Sequence, residues 1–217
     1  DPAQYHGETG SGYVNLIRGH NTYIGRYRYC VPVLPVLREW KMKRYHPLLI
    51  ALHWLLAVMI IFSLGMGVAV LEEIPNSDPD KLAYLQLHMT MGTLILVLMA
   101  VRFIVRILKP RPAPVESGNA ILDRLGPLIH KLFYVVVIAM AVSGLAVSIL
   151  TDLPQILFGG SGAPLPENFH AVAPHAVHGI LGTVLMAMIL LHLAGFIFRQ
   201  FIRRDNLIGR MWFGRNA

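Results

Sequence analysis

Four long apolar stretches alternate with polar and charged segments along this chain. Each is long enough to cross a hydrocarbon core of about 30 Å, which takes about 20 helical residues. Strands of a membrane barrel would show short segments of alternating polarity, so continuous stretches predict helices that satisfy their own backbone groups. We predict four transmembrane helices, at Leu48–Leu71, Leu82–Leu108, Leu128–Leu150 and Ala176–Phe198.

Basic residues gather at alternate ends of these helices. They are Lys41, Lys43 and Arg44 before the first helix, Arg102, Arg106, Lys109, Arg111, Arg124 and Lys131 around the second link, and Arg199, Arg203, Arg204, Arg210 and Arg215 after the fourth helix. Cytoplasmic loops of membrane proteins collect Lys and Arg. The pattern predicts that these ends, and both termini, lie in the cytoplasm.

Composition agrees with a membrane protein, because 55% of the residues are hydrophobic and only 14% are charged. A net charge of +7 would suggest nucleic acid in a soluble domain. Here the basic residues account for orientation instead, and we expect no nucleic-acid partner. The single cysteine, Cys30, excludes an internal disulfide and a multi-thiolate metal site, which leaves histidine as the candidate for redox chemistry.

Residues 1–41 do not share this pattern. They mix tyrosine, arginine and proline, contain no apolar piece long enough to span a membrane, and lack the layout of a signal peptide. We interpret 1–41 as an N-terminal extension, uncertain or disordered and without an assigned function. The transmembrane domain is predicted to cover 42–217.

His53, His88, His178 and His192 fall well inside the predicted helices, where ionisable groups are costly and usually functional, and His130 lies at the start of the third helix. His178 and His192 are fourteen residues apart, so they share nearly one helix face at a separation of about 21 Å. One helix can thus serve two stacked sites. We predict an outer site from His88 and His178 and an inner site from His53 and His192. Two axial imidazoles suit a low-spin haem that transfers electrons.

Neighbouring residues refine this prediction. His130 competes for the inner site. Lys131 beside it indicates an interfacial position, which favours contact with a metal-binding histidine or with a quinone over direct ligation by His130. Arg102 follows His88 by fourteen residues and could pair with a haem propionate or simply set orientation. Gly92 and Gly182 each follow an outer histidine by four residues and could admit a porphyrin edge or close helix packing.

The remaining histidines of the transmembrane domain lie at helix ends or in loops. His46, His170 and His175 are expected to be ordinary interfacial residues. His175 precedes His178 by one turn and would replace it as a ligand if the helix register differed.

The layout of "RYHPLLIALHWLLA", "LQLHMTMGTLILVLMAVRFIVR", "RLGPLIHKLFYVVVIAMAVSGL" and "HAVHGILGTVLMAMILLHLAGFIFRQFIRRDN" resembles the bacterial cytochrome b561 family from about Met42 onward. The resemblance implies an all-α membrane protein of the inner membrane, a four-transmembrane-helix bundle with two stacked b haems. One haem would lie on His53 and His192, the other on His88 and His178. Family members carry electrons between a partner and membrane quinone, and some resemble superoxide oxidases that reduce ubiquinone.

Three hypotheses follow. The first is a stand-alone membrane cytochrome that passes electrons through two b haems to or from quinone, with ubiquinone as the expected acceptor. Its donor would be an electron-donor protein or superoxide, although Lys81 is almost the only basic residue predicted on the outer face. The second is the cytochrome b anchor subunit of a dehydrogenase or hydrogenase. The third, a histidine-lined transporter, is disfavoured because the predicted helices contain no acidic residue.

Overall fold

A computed structural model describes residues 44–110, 112 and 120–212, and the predicted extension lies outside this range. The described chain is entirely helical between turns and loops, without a strand. Its elements are α1 (Pro47–Met66, continued by a π-helical turn Gly67–Leu71), α2 (Asp80–Leu108), α3 (Ala120–Leu150), α4 (Leu153–Leu157), a 3-10 turn (Phe169–Ala171), α5 (Ala173–Ile197, continued by a π-helical turn Phe198–Ile202) and α6 (Leu207–Met211).

Four of these helical segments are long and apolar enough to cross a membrane, namely Pro47–Leu71, Asp80–Leu108, Asp123–Leu150 and Ala173–Ile202. Large apolar side chains cover their outer faces, as Val58, Ile107 and Leu190 illustrate with more than 60% of their surface exposed. Such a surface is compatible with lipid rather than water. The structure therefore confirms the predicted all-α membrane bundle of four helices.

The helices α3 and α5 begin before the apolar stretches that predicted them. α3 begins at Ala120 and runs through Pro127, whereas we predicted a start at Leu128. A proline within a helix removes one hydrogen bond, and the helix formers Arg124 and Leu125 support the turn before it. α5 begins at Ala173 with Pro174 in its first turn, where a missing N–H costs nothing.

Within the bundle, α3 packs closely against α5, α1 against α2, and α2 against α3. The buried apolar cluster at the centre draws on all four long helices, and its members are Leu56, Met59, Leu64, Ile95, Met99, Val137 and Leu185. Along each helix, most of these residues lie between the two levels at which the predicted ligands occur. An apolar layer thus separates the two histidine levels.

The links after α1 and α3 close the end of the bundle that carries His88. Lys81 is buried, and its Nζ donates to the carbonyl oxygen of Ile74 at 2.6 Å. The Asn76 side-chain amide donates to the carbonyls of Pro166 at 2.7 Å and Glu167 at 3.2 Å, and that of Gln86 donates to the carbonyl of Leu157. The Asn76 bonds join the two links to each other, and the bonds of Lys81 and Gln86 join each link to α2, so that the links form a cap.

The segment 203–212 folds back against the start of α1. Arg199 pairs with Asp205 at 2.7 Å, which fixes the turn that leads into α6. The indole Nε1 of Trp54 then donates to the carbonyl of Met211 at 2.9 Å, and the rings of Trp54 and Trp212 meet edge-on at 6.4 Å. The residue after His53 is thereby held by the C-terminal segment.

The cap makes a direct prediction about stability. Asn76→Ala removes two hydrogen bonds between the links and should lower the free energy of unfolding by about 1 kcal/mol per bond. Ser77→Ala, at the exposed neighbouring position, is the control and should be neutral. Denaturant titration in mixed micelles measures both, and equal stability of the two variants would contradict the proposed role of the cap.

Candidate functional site

His88 of α2 and His178 of α5 face each other across the bundle. Their ring centres are 6.1 Å apart and their planes are inclined at 75°. A metal ion bound at roughly 2 Å by one nitrogen of each ring would place the ring centres about 6 Å apart. The spacing of this pair therefore matches two axial imidazoles on one metal.

Hydrogen bonds at Nδ1 orient both rings. The Nδ1 of His178 lies 3.0 Å from the carbonyl oxygen of Met140 and 3.1 Å from Oγ of Ser143. A carbonyl only accepts, so this Nδ1 carries the proton and Nε2 keeps a free lone pair. The Nδ1 of His88 lies 3.4 Å from Oγ of Ser63. Each ring is thus held through one nitrogen while the other is left for a metal.

Glycines give these rings their space. A Cβ added at Gly144 would lie 2.9 Å from Cε1 of His178, so α3 can approach this imidazole only without a side chain at that position. Gly92 lines the cavity between the two rings, and a Cβ there would meet no atom within 4 Å. At Gly182 a Cβ would come within 3.3 Å of Met140, which favours the helix-packing alternative for this glycine.

The cavity beside the His88–His178 pair is apolar apart from the two histidines and Ser63. Its volume is about 50 Å³, so a porphyrin would have to displace flexible side chains that line it, such as Leu64 and Met140. Within the described part of the chain, no group of three or more His, Cys, Asp or Glu residues could hold a bare metal ion. Two imidazoles suit a macrocycle that already supplies four nitrogen ligands.

His53 of α1 and His192 of α5 form a second pair at the opposite level, with ring centres 6.5 Å apart and planes inclined at 73°. His130 of α3 is nearer still, at 5.4 Å from His192, and Phe133 contacts the same ring at 5.4 Å. The Nδ1 of His130 lies 2.7 Å from the carbonyl of Gly126, so its Nε2 is also free. Three imidazoles gather here, and His130 remains a competitor for ligation.

Arg102 joins α2 to α1 at this level. Its Nη1 donates to the carbonyl of Leu49 at 2.8 Å, one turn before His53. The guanidinium of Arg106 lies over the ring of Tyr134 at 5.4 Å. A propionate contact of Arg102 stays a prediction, and its observed role is to fix the turn that carries His53.

Tyr134 belongs to this site, although the sequence analysis missed it. Its hydroxyl is buried and has no hydrogen-bond partner among the described residues. It follows His130 by four residues and so lies on the same helix face, which was the available signal. This hydroxyl lies beside the guanidinium of Arg102, so the two groups could together orient a ligand that accepts hydrogen bonds.

The other histidines stand apart from both pairs. His46 caps α1, with its Nδ1 accepting from the backbone N–H of Leu48 at 3.3 Å. His175 packs against His170 at 4.5 Å and stacks on Phe169 at 6.3 Å. The register thus brings His178 to His88, while His175 joins the cap.

The fold and these two histidine pairs are what is expected of a membrane-embedded cytochrome of the four-helix type. The chain belongs to the prokaryotic cytochrome b561 family, whose model matches residues 44–214. This confirms the resemblance seen in the sequence. The family binds haem b, so the chain is a membrane electron-transport cytochrome with haem as its family-typical cofactor.

Two curated relatives agree with this assignment. "Cytochrome b561 homolog 2" of Escherichia coli (strain K12) is 24% identical over 177 residues, which are 78% of this chain and 91% of the relative. "Probable superoxide oxidase CybB" of Yersinia pestis is 26% identical over 171 residues, which are 78% of this chain and 96% of the relative.

Gly144 provides a test of the His88–His178 pair. Gly144→Ala should push the His178 ring out of place and lower the haem content per chain, because one imidazole of this pair is displaced. Gly179→Ala is the matched control, since the added Cβ next to His178 meets no atom within 4 Å. Haem is measured as the pyridine complex in protein of equal helicity. Full haem content in the Gly144 variant would contradict the geometry.

Proposed function

We propose that the protein is a diheme electron-transfer cytochrome of the bacterial inner membrane that delivers electrons to ubiquinone. The observation that carries this proposal is the pairing of intramembrane imidazoles at two levels, with ring centres 6.1 Å and 6.5 Å apart. His88 and His178 would hold one b haem, and His53 and His192 would hold the other. Family membership supports haem b at these positions.

Haem supplies one-electron chemistry, and two imidazoles without an open position favour electron transfer over oxygen binding. The chain contributes distance, orientation and exclusion of water. His178 and His192 lie on one rigid helix about 21 Å apart, which fixes the separation of the two levels. The buried cluster around Met59, Met99 and Leu185 keeps water from the path between them.

The basic residues suggest how the bundle is oriented. Arg106, Lys131 and Arg199 lie at the end that carries His53, and cytoplasmic ends are rich in such residues. We place this end and both termini in the cytoplasm and the cap on the outer side. The membrane domain of this proposal covers 42–217, and the extension 1–41 is given no part in it.

We place the quinone site at the cytoplasmic level. A quinone carbonyl accepts hydrogen bonds, and the buried Tyr134 hydroxyl and the Nε2 of His130 face this region from one side of α3. Lys131 is exposed there. Arg199 lies at the same end, but it is paired with Asp205 and is therefore assigned to the fold.

Superoxide is the donor that we propose at the outer level. The name of the Yersinia relative supports it, although Lys81 is buried and committed to the cap and so adds little surface attraction for an anion. Two superoxide ions would each lose one electron and leave as dioxygen. The two electrons and two protons would convert one ubiquinone to ubiquinol.

Rapid mixing of variants separates the two half-reactions. In His192→Ala, the remaining haem should still be reduced by superoxide, but its reoxidation by a short-chain ubiquinone should be lost. In His88→Ala, the opposite should hold: ubiquinol still reduces the remaining haem, and superoxide no longer does. Haem absorbance follows both reduction and reoxidation. Each variant removes one histidine ligand and therefore affects one of the two sites.

His170→Ala is the control, since this exposed histidine lies in the cap outside both pairs. It should keep both half-reactions. Wild-type rates for both half-reactions in either ligand variant would contradict the assignment of the two sites. If ubiquinol reduces the wild-type haems normally and superoxide does not, the quinone-linked role stands and a donor protein replaces superoxide.

A further inference from the structure

Two buried serines stand behind the imidazoles of the His88–His178 pair. Ser63 lies on α1 and is 9% exposed, and Ser143 lies on α3 and is 7% exposed. Neither helix supplies a member of this pair, so the hydroxyls reach the rings from the flanking helices. The two serines thus complete a shell in which all four long helices contribute to one site.

The donors and acceptors around His178 can be assigned. The hydroxyl of Ser143 donates to the carbonyl of Met140 at 2.8 Å, which leaves the lone pairs of its Oγ free. The Nδ1–H of His178 then points at two acceptors, the same carbonyl at 3.0 Å and Oγ of Ser143 at 3.1 Å. The His178 ring, the Ser143 hydroxyl and the Met140 carbonyl are therefore all hydrogen-bonded to one another, which fixes the ring.

His88 is held in a weaker version of the same arrangement. Its Nδ1 lies 3.4 Å from Oγ of Ser63, at the outer limit of a hydrogen bond. If Nε2 binds iron, Nδ1 carries the proton and donates a hydrogen bond to Oγ of Ser63. A Cβ added at the adjacent Gly67 would come within 3.7 Å of Cε1 of His88, so α1 lies close along this ring.

A hydrogen bond from Nδ1–H to an acceptor changes the donor strength of the imidazole as well as its orientation. It raises the electron density and basicity of the ring, so Nε2 becomes a stronger donor to iron. A stronger donor favours the oxidised metal and lowers the reduction potential, one of the ways in which a protein tunes a haem. By contrast, neither the His53 ring nor the His192 ring has a hydrogen-bond partner among the described residues, and both contact aromatic rings.

We propose that Ser143, assisted by Ser63, positions the axial imidazoles of the His88–His178 site and sets the reduction potential of the haem bound there. This inference rests on the proposed function, because it assumes a haem at this pair. Both serines are positioning residues that act through the histidines. Ser143 is the stronger of the two, since its Oγ lies 3.1 Å from the ring nitrogen whereas that of Ser63 lies 3.4 Å away.

The test compares two serines of the same helix. Ser148 is 3% exposed and donates to the carbonyl of Leu145 at 2.8 Å, the same local bond that Ser143 makes, but no histidine contact is present. Ser143→Ala should raise the midpoint potential of one haem and leave the other unchanged, while Ser148→Ala should shift neither. Transfer of haem from that site to apomyoglobin should accelerate by roughly tenfold in Ser143→Ala, as for lost partners of metal ligands.

Two further variants separate the loss of the hydroxyl from a general loss of structure. Ser143→Thr restores a hydroxyl and should return the potential toward the wild-type value. Ser63→Ala should shift the same haem in the same direction by a smaller amount. Purified wild-type protein without haem would defeat the proposed function itself. Two haems with unchanged potentials in Ser143→Ala, or equal shifts in Ser143→Ala and Ser148→Ala, would overturn this inference alone.

Discussion

The structure depends on the cost of placing a polar ring in hydrocarbon. An imidazole nitrogen inside a membrane helix is costly unless it forms a hydrogen bond or binds a metal, since neither lipid nor water supplies a partner there. In the His88–His178 pair, one nitrogen of His178 is satisfied by Met140 and Ser143. The other is free to bind a metal, and the second imidazole stands at the spacing that a shared metal requires. The rings come from α2 and α5, and the serines beside them come from α1 and α3.

Both ends of the bundle are closed by segments that lie next to the histidine levels. At one end the cap, tied by Lys81 and Asn76, covers the level of His88 and His178. At the other, the C-terminal segment holds Trp54, the neighbour of His53, through the carbonyl of Met211. Lys81 and the Arg199–Asp205 pair are charged groups that stabilise these two ends. The two levels differ in their surroundings, because hydroxyls line one and Arg102, Arg106 and Tyr134 line the other.

The four helices could be predicted from the sequence because apolar length alone identifies a membrane span. The histidine levels followed from the fourteen-residue interval in α5, which keeps one helix face. Ser63, Ser143 and Gly144 could not be found in this way. Serine and glycine are common in membrane helices, and their importance here depends on the rotation of α1 and α3 against α2 and α5, which no spacing within one helix reveals. The pairing of Arg199 with Asp205 also depends on the fold of the C-terminal turn, and only the structure separates it from the quinone region.

The central claim is that two histidine pairs hold two haems of the same electronic type. Low-temperature electron paramagnetic resonance of the oxidised wild-type protein, combined with a haem count, tests it most directly. The account predicts about two b haems per chain, both low-spin with two nitrogen ligands, and no high-spin signal. One haem per chain, or a high-spin signal of matching intensity, would show that an imidazole of one pair does not bind iron and would contradict the account.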